Sequence, residues 1–395
     1  MPTDTDFCPT PAGQGLAMPA EWAPHECCLI AWPVLSRTYW GEYYLLAQAT
    51  HAAVARAVAR FEPVVVIADP GEGPNARSYC GSDNIEVVEL PIDDSWIRDN
   101  GPFFLLGPQG ERAVADFVFN SWGEKYLPYN KDAAVTKLLC EHFGWRRFAA
   151  PMVLEGGAFT VDGEGTLVTT ESCLLHPSRN PRMSRERQEQ LLSDYLGVEK
   201  VIWLKAGRSE ATDTDGHVDG VCHFLGPGRV ILHVVHEHDH VDYDNFEENR
   251  RRLAETVDAR GRRVTVVEMD RRTTVDIGGK RLTMTYMNSY QANGGLVVPT
   301  AGSAYDEGAL ERLREVFAER EIVGVPAQVL AYGGGGIHCI TQQVPAAGVV
   351  QDRPLRHNLG CRHPLALRLE EPEREGRQRT SGSPSSGEDR RTVAP

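Results

Sequence analysis

A helix followed by a short apolar strand recurs along most of this chain, and that rhythm restricts the fold more than any other feature. Residues 45–60 place Leu46, Ala49, Ala53 and Ala57 at helical spacing, and the apolar run 63–68 follows as a strand before the turn at Pro70-Gly71. The same reading predicts helices at 136–143, 185–196, 249–258 and 309–317, and strands at 28–32, 85–90, 201–204, 263–267 and 321–325. Five helix-then-strand units over about 330 residues imply repeated α/β modules of roughly 65 residues each. Sequence identity between the units is not visible, so the repeat is one of pattern.

The expected organisation is a flexible polar arm at 1–17, a single α/β domain at 18–350 and a disordered tail at 351–395. The tail is rich in Arg, Ser and Pro and has too little apolar surface to offset its ordering entropy. The net charge of −14 repels nucleic acid and anionic membranes. The nine cysteines are odd in number and include no Cys-x-x-Cys pair, so free thiols are expected. No basic stretch leads into an apolar run at the N-terminus, and no segment approaches the roughly 18 apolar residues of a membrane helix. A cytoplasmic setting is therefore expected.

Five short segments place a polar or reactive group among apolar and glycine residues: 93–102, 119–123, 154–157, 214–219 and 332–339. Cys339 follows four glycines, where the backbone can approach a ligand closely. Its nucleophilic form is the thiolate, which requires a nearby base or cation. On a strand, His338 would point to the opposite face, leaving His217 as the better partner, and His217-Val218-Asp219 would put imidazole and carboxylate on one face. One thiol, one His and several carboxylates suit guanidine chemistry better than amide chemistry. A guanidinium is a planar cation that needs paired acceptors, whereas an acyl transition state needs donors.

These segments carry a resemblance. Met18-Pro19-Ala20-Glu21-Trp22 with Pro24-His25-Glu26, Trp96-x-Arg98-Asp99-x-Gly101-Pro102, Glu155-Gly156-Gly157, Gly216-His217-Val218-Asp219 and Ile337-His338-Cys339-Ile340-Thr341-Gln342-Gln343-x-Pro345 resemble the agmatine deiminase family of guanidine-modifying enzymes, in order, over 18–345. The resemblance implies a five-bladed α/β propeller (pentein) of ββαβ modules with pseudo-fivefold symmetry, and a homo-oligomer. It implies Cys339 as nucleophile, His217 as general acid and base, Asp99 and Asp219 as the guanidinium grip, and Glu155 as the group orienting His217. Trp96, Trp122, Gly335 and Gly336 are implied to line the substrate site. The implied reaction converts agmatine to N-carbamoylputrescine and ammonia through a Cys thiouronium, with no cofactor and no metal. Gly336 stands where these enzymes commonly carry Asn, and Ala158 and Asp215 stand where Ser or Asn is more usual.

Two rival readings come from the same residues. His236, His238 and His240 would share one face of a strand and could hold zinc. Within guanidine hydrolases, free or peptidyl arginine is the other substrate class. Arg98 is the only arginine in the five segments and is expected to turn away from the site, so no cation is expected for an arginine carboxylate. That predicts a preference for agmatine of at least about a hundredfold.

Overall fold

The computed structural model describes residues 10–35, 38–270 and 272–348. The expected tail at 351–395 lies outside the described residues, as do residues 1–9. Five sheets share one grammar: an antiparallel pair, a crossover helix, then a strand parallel to the second. In one sheet, Phe103–Leu106 pairs antiparallel with Arg112–Val118, the helix Asp132–Phe143 crosses, and Arg146–Val153 returns in parallel. The next three modules run Phe159–Val161 to Lys200–Leu204, Cys222–Gly226 to Thr265–Met269, and Tyr290–Ala292 to Glu321–Pro326. The fifth joins the two ends of the domain. Thr341–Pro345 pairs antiparallel with His25–Ala31, which Val64–Ala68 follows in parallel after the helix Tyr44–Val58, with Ile85–Glu89 as an added strand. The domain is thus a five-bladed α/β propeller of ββαβ modules.

One strand in each of three modules is buried over its whole length because both faces of the sheet are covered, whether it is an apolar run such as Val64–Ala68 or carries threonines as Thr166–Thr170 does. Val64–Ala68, Thr166–Thr170 and Gly295–Thr300 are buried at every position. The helix expected at 185–196 has those bounds, and its punctuation explains why. The Ser184 side chain accepts the Arg187 N–H at the start, and Gly197 closes the end in the left-handed conformation. The helix expected at 249–258 instead spans Tyr243–Ala254. Only Phe246, Asn249 and Leu253 are buried on it, and a run of Glu and Arg pairs covers the rest, so its apolar signal starts late.

The loose arm expected at 1–17 is shorter than that reading. From Thr10 onward the chain is packed: Leu16 is 2% exposed, Ala17 bridges Leu106, and the Met18 N–H donates to Leu196 O. One apolar anchor among polar, Pro and Gly neighbours suffices to seat the segment. Among the described residues no helix is long and apolar enough to cross a membrane.

Candidate active site

The propeller brings one short turn from each module to a common point, immediately before that module's first strand. These are Ile97–Asn100, Gly156–Ala158, Val218–Gly220, the turn holding Asn288, and His338–Ile340. They deliver Asp99, Glu155 with Gly157, His217 with Asp219, Asn288 and Cys339. Five turns far apart in sequence are therefore five copies of one structural position, which is why they converge; four of them hold expected motifs, the fifth is the Asn288 turn, and the segment 119–123 reaches the site from elsewhere.

Cys339 is partly exposed and lines a cavity of about 320 Å3 together with His217, Asp219, Asn288, Gly335 and Gly336. It also lines a smaller adjoining pocket with Trp96, Asp99 and Trp122. All the residues expected at the site except Glu155 border one or both spaces, and Glu155 lies buried behind His217. Sγ stands 3.7 Å from Asp219 Oδ2 and 3.4 Å from Asn288 Oδ1. Burial, then the charges of Asp219 and Asp99, push the thiol well above its ordinary range.

The two carboxylates facing the sulfur differ in state. Asp219 would be raised by burial, but His338 donates to it at 3.0 Å and its charge outweighs the desolvation, holding the carboxyl at about 2. Asp99 is raised to about 7 by burial and by Asp219's charge, against N–H groups from Gly157 and Trp122 at 2.9 Å each. Trp122 is therefore a donor as well as an apolar wall. It reaches Asp99 from a contorted turn in which Ser121, Trp122 and Glu124 have φ of 54°, 56° and 61°. Such residues cost of order 1–3 kcal/mol each and persist where surroundings hold them; here the Asn120 side chain accepts the Gly123 N–H at 2.9 Å, and Ser121 Oγ donates to Tyr126 O at 2.8 Å.

His217 was expected on a strand, sharing a face with Asp219. It instead caps the one-turn helix Val218–Gly220 in extended conformation, and its nearest carboxylate contact is Asp99, 3.9 Å from Nδ1. Its Nε2 and Glu155 Oε2 are buried without hydrogen-bond partners, and a Glu155 oxygen lies within 4.8 Å of a ring nitrogen. Burial lowers the His217 pKa, against the charges of Glu155 and Asp219, so the ring is a neutral acceptor at neutral pH. Arg179 fixes Glu155: its Nε donates to Oε1 at 2.5 Å, and Nη1 donates to Asp215 Oδ2 at 2.8 Å. Asp215 sits at φ 59°, which Asp tolerates better than most residues, and Lys125 also donates to it at 2.8 Å. That pairing accounts for an acid where Ser or Asn is more usual.

His338 was expected to face away from Cys339, leaving His217 as the better partner. His338 does face away, into a buried chain in which Nδ1 meets Asp219 at 3.0 Å and Nε2 meets Glu21 Oε2 at 3.1 Å. Burial and Arg98 disfavour its charge, but the two carboxylates prevail and raise its pKa. Arg98 turns away as expected, from a helical turn rather than a strand, and donates to Gln343 Oε1 at 2.8 Å and His338 O at 3.3 Å. The expectation that no cation reaches the site is overturned. Arg208 and Arg281, both outside the five segments, line the cavity.

Gly157 is packed against three of the site's polar groups at once. A Cβ there would lie 2.5 Å from His217 Nδ1 and 3.0 Å from both Asp219 Oδ2 and Asp99 Oδ1. Gly157→Ala is therefore expected to cut kcat/KM by about a hundredfold or more while the protein stays folded, because a displacement of about 1 Å is enough to misalign such a site. A wild-type rate in that variant contradicts this packing. Gly336 has a related cause: a Cβ there would meet Asn288 Oδ1 at 2.4 Å, so the Asn288 amide occupies space that a larger residue at 336 would need. Gly335 lies against Trp96.

His236, His238 and His240 lie in a loop after the strand Arg229–His233 and do not converge. Among the described residues two other triads do: Glu21 with His223 and His338, and Glu155 with Cys173 and His217. In the first triad His338 is engaged by carboxylates through both nitrogens, and in the second Arg179 holds one oxygen of Glu155.

Comparison with known proteins bears on the family and the fold. The family described as Porphyromonas-type peptidyl-arginine deiminase matches residues 17–345. An agmatine deiminase of Pseudomonas aeruginosa is 41% identical over 360 residues, covering 85% of this chain and 97% of the relative. One from Ectopseudomonas mendocina is 39% identical over 365 residues, covering 87% and 99%. The solved agmatine deiminase of Enterococcus faecalis superposes with a TM-score of 0.81 at 34% identity, covering 88% of this chain and all of that one. The chain belongs to the Porphyromonas-type peptidyl-arginine deiminase family of guanidine-modifying enzymes, alongside the agmatine deiminases.

Proposed function

We propose that this protein is an agmatine deiminase, releasing ammonia from agmatine and leaving N-carbamoylputrescine. The observation that carries the reading is the cluster of Cys339, Asp219, Asp99 and His217 around one cavity wall, where a planar cation meets two carboxylates and a sulfur together. Relatives named agmatine deiminases support the substrate, as do Glu210 and Asp213 on the same cavity, acids suited to the distal ammonium. Cytoplasmic residence and homo-oligomerisation are part of this proposal, carried by the family likeness. The second reading is a deiminase of free or peptidyl arginine, favoured by the family's description and by Arg208. Ammonia release from agmatine, arginine and a peptidyl arginine decides between them: agmatine is turned over best, and equal or faster turnover of either arginine substrate removes the agmatine assignment.

In the empty site the thiol holds its proton. A guanidinium seated between Asp99 and Asp219 neutralises the charges that oppose ionisation and supplies a cation beside the sulfur, so the thiolate forms with the substrate bound. The proton that leaves the sulfur passes to His217, the neutral acceptor, and the thiolate attacks the guanidinium carbon. His217 returns that proton to the departing nitrogen, and ammonia leaves a thiouronium on Cys339. His217 then takes a proton from water, whose oxygen adds to the same carbon; as the C–S bond breaks, His217 protonates the sulfur and the released ammonia takes up the hydroxyl proton, giving the ureido product, ammonium and the free thiol.

Two outcomes follow. Since the grip needs both carboxylates ionised, kcat/KM falls as pH drops and Asp99 takes up its proton, giving an acid limb near pH 7. Removing the indole donor in Trp122→Phe moves that limb to higher pH; a profile flat across neutrality contradicts the Asp99 role. Second, a cationic haloacetamidine alkylates Cys339 at least about tenfold faster than the neutral haloacetamide near neutral pH, because only the cation meets both acids. Equal rates would show that the thiol is already ionised without substrate.

A further inference from the structure

The reaction described above leaves two cations of the cavity, Arg208 and Arg281, unused. Arg208, in the loop after Lys200–Leu204, lines the same space as Cys339, His217 and Asp219. Among the described residues its guanidinium has no hydrogen-bond or ion-pair partner. The groups whose charge reaches it are Glu210, Asp219, Asp242 and Cys339. Asp219 is committed to His338 at 3.0 Å, and Asp242 accepts the Ser209 N–H at 3.0 Å. Arginine keeps its charge even when burial opposes it, and its planar fork of five donors matches a carboxylate in paired geometry. A second arginine, Arg281 on the hairpin strand Lys280–Thr285, borders the same cavity, with one weak contact to Thr274 Oγ1 at 3.4 Å. The cavity thus has a cation-binding end, formed by Asp99 and Asp219 beside the sulfur, and a separate unpaired guanidinium.

We propose that Arg208 is a carboxylate subsite, and that the enzyme hydrolyses ω-guanidino acids, with a guanidinium and a carboxylate joined by a short methylene chain, as well as agmatine. The proposal rests on the guanidine-hydrolase reading and adds a substrate class to it. The guanidinium end is seated as for agmatine, against Cys339, Asp99 and Asp219; the carboxylate meets Arg208. Arg208 acts on the far end of the substrate and takes no part in the bond changes, so it is a specificity-determining residue.

The test compares kcat/KM for ammonia release from agmatine and from 4-guanidinobutanoate, in wild type, Arg208→Leu and Arg208→Lys. The wild type turns over both compounds. Arg208→Leu lowers kcat/KM for the acid by about a hundredfold or more, mainly through KM, and raises it for agmatine by removing a repelling charge. Arg208→Lys keeps a measurable part of the acid activity because the charge remains while the fork is lost. Should the leucine variant not fold, Arg208→Gln carries the same comparison. Wild-type turnover of agmatine with none of the acid overturns the subsite and leaves the deiminase reading standing. A parallel loss on both substrates in Arg208→Leu also overturns it, assigning Arg208 to the fold or to the nucleophile's field. Failure of the wild type on both compounds removes the guanidine-hydrolase reading itself, and the subsite with it.

Discussion

Replacing Cys339 by alanine abolishes measurable deimination, a loss of more than about ten-thousandfold, with thermal midpoint and fold unchanged. The size follows from its role. The sulfur is the group proposed to form and release the bond to the guanidinium carbon, and removal of a nucleophile of this kind commonly costs four to six orders of magnitude, about 10⁴ to 10⁶. The fold survives because the side chain is partly exposed on a cavity wall, so truncation leaves little buried void. Steady-state ammonia release measures it. Turnover within tenfold of wild type in Cys339→Ala would end covalent catalysis by this residue.

Asp219→Asn has the second largest expected effect, and it acts in two places. At the site it replaces a charged acceptor with a neutral amide where the guanidinium nitrogens bind. Behind the site it leaves the imidazolium of His338 facing a neutral amide, with Glu21 as its remaining acid partner. Breaking one side of a buried charge pair typically costs about 3–5 kcal/mol, which is two to four orders of magnitude in kcat/KM if most of it falls on catalysis. A lower thermal midpoint accompanies the kinetic loss because the His338 chain is buried. The sign with pH is defined. Asp219 is held down, so its stabilisation is present above its ordinary carboxylate pKa of 3.8 and is lost as pH falls toward about 2. The stability difference between wild type and Asp219→Asn should therefore shrink in acid. A kinetic loss below tenfold excludes Asp219 from the grip.

Much of this architecture was legible in the sequence, for identifiable reasons. The modules could be read because buried strands such as Val64–Ala68 are apolar runs, and because a helix such as Arg185–Leu196 is bracketed by Ser184 and Gly197. Asp99, Glu155, His217, Asp219 and Cys339 stood out as polar groups set among glycines. Their partners did not. Asn288 lies in 285–289, a segment without glycine, yet it sits at the same place before its module's first strand as Cys339 does before Thr341–Pro345. Aligning the modules on those strands would have found it. Glu21 lies in a segment that carries the family resemblance but has no glycine beside it to mark its role, and Arg179 and Arg208 come from segments whose local pattern is ordinary, so composition and spacing carry no trace of what these residues do. The strand geometry read into His217-Val218-Asp219 and His338-Cys339 failed for a related reason. Each lies in a one-turn helix at a strand entrance, where alternation of faces does not apply.

The central claim is that Cys339 becomes covalently bonded to the guanidinium carbon during turnover. Wild-type enzyme mixed with agmatine, quenched in acid within a turnover and digested should yield the Cys339 peptide carrying the mass of agmatine less ammonia. The unmodified peptide is expected when agmatine is omitted. Quenched peptide that stays unmodified during active turnover, or an adduct on another cysteine such as Cys173, contradicts the account.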